Sequence, residues 1–346
     1  MGDIAKGVLG GGWSLLVGWI LPTAINLGII AIAIAPSLRN VPVMDQVYLA
    51  STSTKTLLLL TCAVLLGLVL SALQNPLYRI LEGYLLWPPR LYVRCSRRHR
   101  ERRNDLTDRL MEMRQARRAE SEAALSPEAA RNRQRQATPA IPGARRRPNH
   151  QRTATQQALL AERLARYPVD DDQITPTRLG NAIRRLEEYG HDRYRLDSQV
   201  LWNELTATAP EQARRQVDIA RTSVDFFIAL LYGHAVLIVV AISAISASSA
   251  DVPTLLGTAV SLSAAVPLWY RAAVIATDEW AAAVRALINL GRQPLARAMG
   301  LTLPQDIQEE REMWRMVSRL SRTRFHERAA ALNRYRRPFG GDEPPV

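Results

Sequence analysis

Four ionisable residues sit in or beside long apolar stretches, where such residues are costly: Asp225, His234, Arg271 and Asp278. A titratable group in hydrocarbon commonly relays protons, passes ions or pairs with another such group. Asp225 enters the third apolar stretch, and His234 follows about two and a half helical turns further in. Counted from the connecting loop, His234 and Arg271 reach similar depth in the third and fourth stretches. Their spacing predicts a polar seam between those two stretches, usable for ion passage or conformational signalling. The plainer expectation is that Arg271 snorkels toward headgroups while Tyr232 and His234 pack in the bundle.

Other chemistry is not indicated. The five histidines, at 99, 150, 191, 234 and 326, lack ligand spacing. Cys62 and Cys95 fit neither a disulfide nor a metal pair in a reducing compartment. Asp170-Asp171-Asp172 reads as a solvated acidic turn, without the further ligands a divalent cation needs. The glycine run from Gly7 to Gly12 has no preceding strand and no following Lys-Ser/Thr, so it suggests close helix packing rather than a phosphate loop. No acid-base pair, catalytic residue, cofactor site or metal site can be placed, which points to a non-enzymatic protein.

The elements that must position the seam are four apolar runs, Trp13–Ala35, Thr56–Leu73, Phe226–Ala247 and Leu255–Ala276. A crossing needs about 20 apolar residues, and each run is read as one. Ala33-Ile34-Ala35 has the form of a signal-peptide cleavage site, but the run is too long and Lys6 is the only early basic residue. Residues 74–222 hold 29 arginines and no lysine, with 19 acidic residues, giving +10 of the chain's net +13. The loops 36–55 and 248–254 are nearly free of positive charge. This asymmetry predicts a plasma-membrane protein with both termini and the large middle segment cytoplasmic. Its basic surface suits anionic lipid headgroups better than nucleic acid.

Within the middle segment, Arg97–Ala124 reads as a solvated or coiled helix with a thin stripe of Leu106, Leu110 and Met113. Ser126 and Pro127 would start a short helix, and Thr138–Asn149 reads as a linker. Folding resumes near Thr153 with a helix that stops before Pro168. Thr175 is expected to cap a helix ended by Gly190, with Leu179, Ala182, Ile183, Leu186 and Tyr189 buried. Arg178, Asn181, Arg185 and Glu188 share an adjacent face, either solvated and salt-bridged or a partner-contact surface. Thr208 is expected to cap a continuous helix from Pro210 to Ala247, and the fourth crossing also continues as an amphipathic helix.

Pro76-Leu-Tyr-Arg-Ile-Leu-Glu-Gly-Tyr84, Tyr167-Pro168, Thr175-Pro-Thr-Arg-Leu-Gly-Asn181, Leu301-Thr-Leu-Pro304 and Glu309-Glu-Arg-Glu-Met-Trp314 resemble segments of a bacterial four-span membrane-protein family common in actinobacteria. The resemblance covers most of the chain outside 125–152. It implies a shared architecture and carries over no activity or site residue.

The sequence therefore predicts an all-α polytopic membrane protein with paired spans (2+2) and a helical cytoplasmic lobe between the second and third. The divisions are 1–93, the first span pair with an interfacial helix; 94–152, charged helices and a linker; 153–222, the lobe; 223–276, the second pair; and 277–346, a helical tail. The expected function is an anchor, scaffold or signalling protein that binds a protein partner or a second copy of itself. The alternative is an oligomeric channel or small transporter using the seam.

Overall fold

The computed structural model describes residues 12–39, 51–125, 148–324 and 327–336. The expectations for Gly7–Gly11, for most of the loop 36–55, for the helix at Ser126, for most of the linker and for His326 lie outside the described residues. The side chains of 120–153, His150 among them, are likewise outside the description. Every long element is a helix, and four helices are long and apolar enough to cross a membrane: Gly12–Leu38, Thr52–Ala72, Glu211–Ala244 and Val252–Ala298.

Two compact units divide the chain, one of residues 1–80 with 186–346, the other Leu81–Arg185. The boundaries fall after Ile80 and after Arg185, each inside a helix.

In the first unit, α1 (Gly12–Leu38) is irregular. Its turns widen over Leu16–Ile20 and Ile30–Ile34 on either side of a regular stretch, Leu21–Ile29. Pro22 supplies no N–H, so the ladder must adjust around it. α2 (Thr52–Ala72) starts at Ser51, whose hydroxyl accepts from Thr54 N at 3.2 Å. It packs on α1 where Gly67 leaves no room for a Cβ beside Ile20. α3 (Gln74–Glu82) follows directly.

α8 (Glu211–Ala244) and α9 (Val252–Ala298), 34 and 47 residues long, form an antiparallel hairpin. The expected start at Pro210 holds to one residue, but Thr208 does not cap it. Its hydroxyl bonds back to Glu204 O and Leu205 O in α7 (Trp202–Thr208). One end of the hairpin buries Leu237, Ala241, Leu255, Ala259 and Leu262 around Ile34 of α1. The other end buries Val217, Val284, Leu287, Ile288 and Leu295 with Leu205 and with Trp314 of α10 (Ile307–Arg322). The outward faces of the apolar stretches stay greasy: Leu57, Val239 and Val260 are each more than 60% exposed. Contiguous apolar surface of this extent is compatible with a membrane protein.

The second unit is built on α4 (Pro89–Leu125), a single 37-residue helix starting eight residues earlier than the charge pattern suggests. α5 (Pro148–Leu164) also begins earlier than expected, at Pro148. α6 (Arg178–Tyr194) bridges the division. Leu179, Ala182, Ile183 and Leu186 are buried as their spacing predicts, while Tyr189 is only half-buried. Its ends differ from the expectation. Thr177, not Thr175, accepts the capping bond, from Gly180 N at 2.9 Å. Gly190 lies inside the helix rather than ending it, and the absence of a Cβ there lets Leu196 O approach closely.

Candidate functional site: a polar seam between the first and third spans

The polar residues of the apolar helices meet, but not along the seam their depth suggested. Asp225 is only 7% exposed, and Tyr78 of α3 donates its phenol to Oδ1 at 2.6 Å. Arg221, one turn earlier on α8, stands 4.0 Å from Oδ2. Gly18 of α1 leaves room for Asp225 Cβ, which lies 3.3 Å from where a Gly18 Cβ would stand. Deeper in, His234 Nδ1 lies 3.0 Å from Asn26 Oδ1. Asn26 Nδ2 donates to Pro22 O at 2.8 Å, so the amide oxygen faces the imidazole and Nδ1 must carry the proton. Gly233 makes this approach feasible, since a Cβ there would overlap the Asn26 amide. Ser14 bonds Thr222, Tyr232 donates to Leu77 O at 2.8 Å, and Arg221 reaches Gln74 at 3.4 Å.

The seam thus joins the third span to the first and to α3. Arg271 takes no part in it. It is exposed on the outward face of α9 between Leu268 and Ile275 and makes no ion pair among the described residues. Asp225 is held instead by Tyr78 and Arg221, so a seam between the third and fourth stretches through Arg271 does not form. Asp278 is half-buried on α9. The fourth span touches the seam through Trp269, whose ring meets His234 edge-on at 6.0 Å and stacks on Phe227. A notch of about 610 Å³ separates α1 from α9 beside Gly28 and Gly257, and its walls are mainly apolar.

Sequence reasoning passed over Asn26, Tyr78 and Gly233. A signal for the first was present: an amide one turn after Pro22 is the only strongly polar side chain in its run.

The second unit carries the other expected surface. Asn181 is no contact residue. It is 1% exposed, its Oδ1 accepts from Thr175 N at 2.9 Å, and its Nδ2 donates to Thr175 O and Thr177 O. Arg178 is exposed while Arg185 and Glu188 are half-buried, so the four residues do not form one solvent-facing patch. Asn181→Ala is expected to strand these backbone groups and cost about 2 kcal/mol, read as faster proteolysis of Leu81–Arg185 in the full chain. Protease resistance equal to wild type would show the loop holds without it.

Nearby, a cleft of about 430 Å³ is lined by Arg103, Arg114, Leu110, Leu164 and Tyr167. Asp171 of the acidic turn is drawn to Arg103 at 2.6 Å. Tyr167 lies 3.1 Å from His99 Nδ1. Burial, reinforced by the positive charges of Arg102 and Arg178, pushes the His99 imidazole down to about 4. In the unfolded chain the ring takes its proton near 6.5. The unit's stability is therefore full above that pH, falls between about 6.5 and about 4, and is flat below. The slope is at most about 1.4 kcal/mol per pH unit, the value for one proton. Hydrogen exchange compared between wild type and His99→Gln should show this fall only in wild type; identical pH profiles would sink it.

Among the described residues, no group of three or more His, Cys, Asp or Glu side chains gathers as a metal site. No protein-family model, no curated protein and no solved structure matches the chain. The class is defined by the fold alone: an all-helical chain with four apolar helices, compatible with a membrane protein.

Proposed function

We propose that this chain is a non-enzymatic integral membrane anchor, whose arginine-rich helical part lies in the cytoplasm and binds a partner protein or a second copy of the chain. One observation carries the reading. α8 and α9 run unbroken from the apolar region into the polar region, where with α7 and α10 they build the larger core. The membrane part and a helical body are thereby one continuous construction. The seam supports the same view, because its polar side chains bond to each other and latch helices together. Such satisfied networks rigidify a bundle.

The test uses cysteines in a chain whose Cys62 and Cys95 are replaced by serine. A cysteine at Asp108 should be protected from an impermeant thiol reagent in intact cells, and one at Ser246 should react. The complex is then purified in mild detergent and its mass measured. Reversed labelling overturns the orientation, and a bare monomer mass without bound protein overturns the scaffold role.

A channel or small transporter is the second reading, favoured by one feature. Trp269 Nε1, beside His234, is buried without a hydrogen-bond partner among the described residues. Proton or ion flux from reconstituted vesicles above protein-free vesicles would replace the anchor reading with this one.

A further inference from the structure

Between Gly83 and Arg100 the chain holds five arginines and no acidic residue. The same stretch exposes an unusual amount of apolar surface: Tyr84 42%, Leu85 42%, Leu86 80%, Leu91 49% and Val93 64%. Leu86 is held at φ 61, a left-handed conformation that costs a non-glycine residue about 1–2 kcal/mol. Strain of this kind persists only where the surroundings impose it, and the surroundings here are specific. Gly83, at φ 99, lies flat against the ring of Pro176. Glu82 O comes so close to Gly180 that a Cβ there would stand 2.5 Å from it. Tyr84 Oη accepts from Arg184 Nε at 2.6 Å. The Thr175–Asn181 loop, stiffened by its internal bonds, is thus the clamp that thrusts Leu86 outward.

The first turns of α4 continue the pattern. Arg90, Arg94, Arg97 and Arg98 recur at three- and four-residue spacing on one exposed face, and Leu91 and Val93 flank them. Ser96 and His99 are buried on the opposite side. Aliphatic tips framed by arginines, with Glu101 at 4.0 Å from Arg97 as the one carboxylate beside them among the described residues, match a layer of anionic headgroups over acyl chains. An apolar face sinks about 5–10 Å into that layer. Each basic residue near it adds about 1 kcal/mol. A protein partner would call for some acidic or amide groups among the tips, and between Gly83 and Arg100 there are none. Along the chain, the second apolar helix ends at Ala72, and little more than the nine residues of α3, about two and a half turns, lies between it and this turn.

We propose that the turn Tyr84–Trp87 and the start of α4 form a wedge seated in the anionic lipid surface. Leu85, Leu86 and Leu91 enter the acyl boundary, and Arg90, Arg94, Arg97 and Arg98 bind headgroup phosphates. The proposal rests on the membrane-anchor reading and names the lipid class its surface takes.

The experiment uses the full chain, with Cys62 and Cys95 replaced by serine, in phosphatidylcholine vesicles with or without phosphatidylglycerol. A spin label is placed at Leu86→Cys or, as a control, at Asp108→Cys. With phosphatidylglycerol present, the label at 86 should be several-fold more accessible to oxygen than to an aqueous nickel chelate, and the label at 108 the reverse. Changing Arg90, Arg94, Arg97 and Arg98 together to glutamine should return position 86 toward the aqueous value. The proposal is overturned if position 86 is as water-accessible as 108 in both lipids. It is equally overturned if its depth ignores lipid charge and the arginines, or if it is shielded only when another protein co-purifies. Retention after alkaline washing is measured on the same vesicles. A retained chain with a wet Leu86 sinks the wedge alone, whereas a released chain sinks the anchor reading and the wedge with it.

Discussion

Arg292→Met is expected to cause the largest loss of stability of any single change in the α9–α10 core. Glu310 is 3% exposed and holds the Arg292 guanidinium through both carboxylate oxygens, while Trp314 Nε1 donates to Oε1 at 3.1 Å. Arg292 also lies over the Tyr194 ring at 4.6 Å. Removing the cation strands a buried carboxylate, a loss of about 3–5 kcal/mol. Adding Glu310→Met removes the stranded charge and should restore most of the loss, leaving a deficit of about 1 kcal/mol for the indole N–H without its acceptor. Thermal unfolding in detergent, followed by tryptophan emission, reads both steps. Wild-type unfolding of Arg292→Met would show that the pair does not hold α10 on α9.

Gly233→Ala should be the most damaging small change within the membrane. The new methyl overlaps the Asn26 amide, so α1 must move off α8 or the Asn26–His234 bond must break. Overpacking of this kind costs about 1–3 kcal/mol, with the lost bond to a buried imidazole adding to it. Asn26→Ala alone also destabilises, by removing the bond between its Oδ1 and the His234 ring. Together the two changes should cost clearly less than their sum, because the methyl then has space and the bond is already gone. Additive losses in the same unfolding assay would mean that the first and third spans do not meet at these residues.

The four long apolar helices were legible because runs of about 20 apolar residues are what a crossing helix needs. Leu179, Ala182, Ile183 and Leu186 were legible because their period matches the helix. The seam's residues were legible one by one, since Asp225 and His234 are conspicuous in an apolar run. Their partners were not. Depth along a helix fixes how far in a residue lies, not which neighbour it faces, and α8 has α1 on one side and α9 on another. Asn181 was misread for a related reason. Its place beside the buried stripe looked like surface, but the loop preceding α6 folds back onto it and engages both amide hydrogens and the amide oxygen. Glu310 shows the same limit in reverse: an acidic residue in the first turn of an amphipathic helix reads as solvated until Arg292, 18 residues earlier, closes on it.

The length of α9 has a mechanical consequence. Its 47 residues span about 70 Å, so a tilt of only about 5° at one end carries the other about 6 Å sideways. Pro267 interrupts the ladder within the apolar half, and bending concentrates where a rung is missing. A bend of about 5° at that point would carry Leu287–Leu295, 20 to 28 residues further on, about 3–4 Å sideways, so the helix acts as a lever arm.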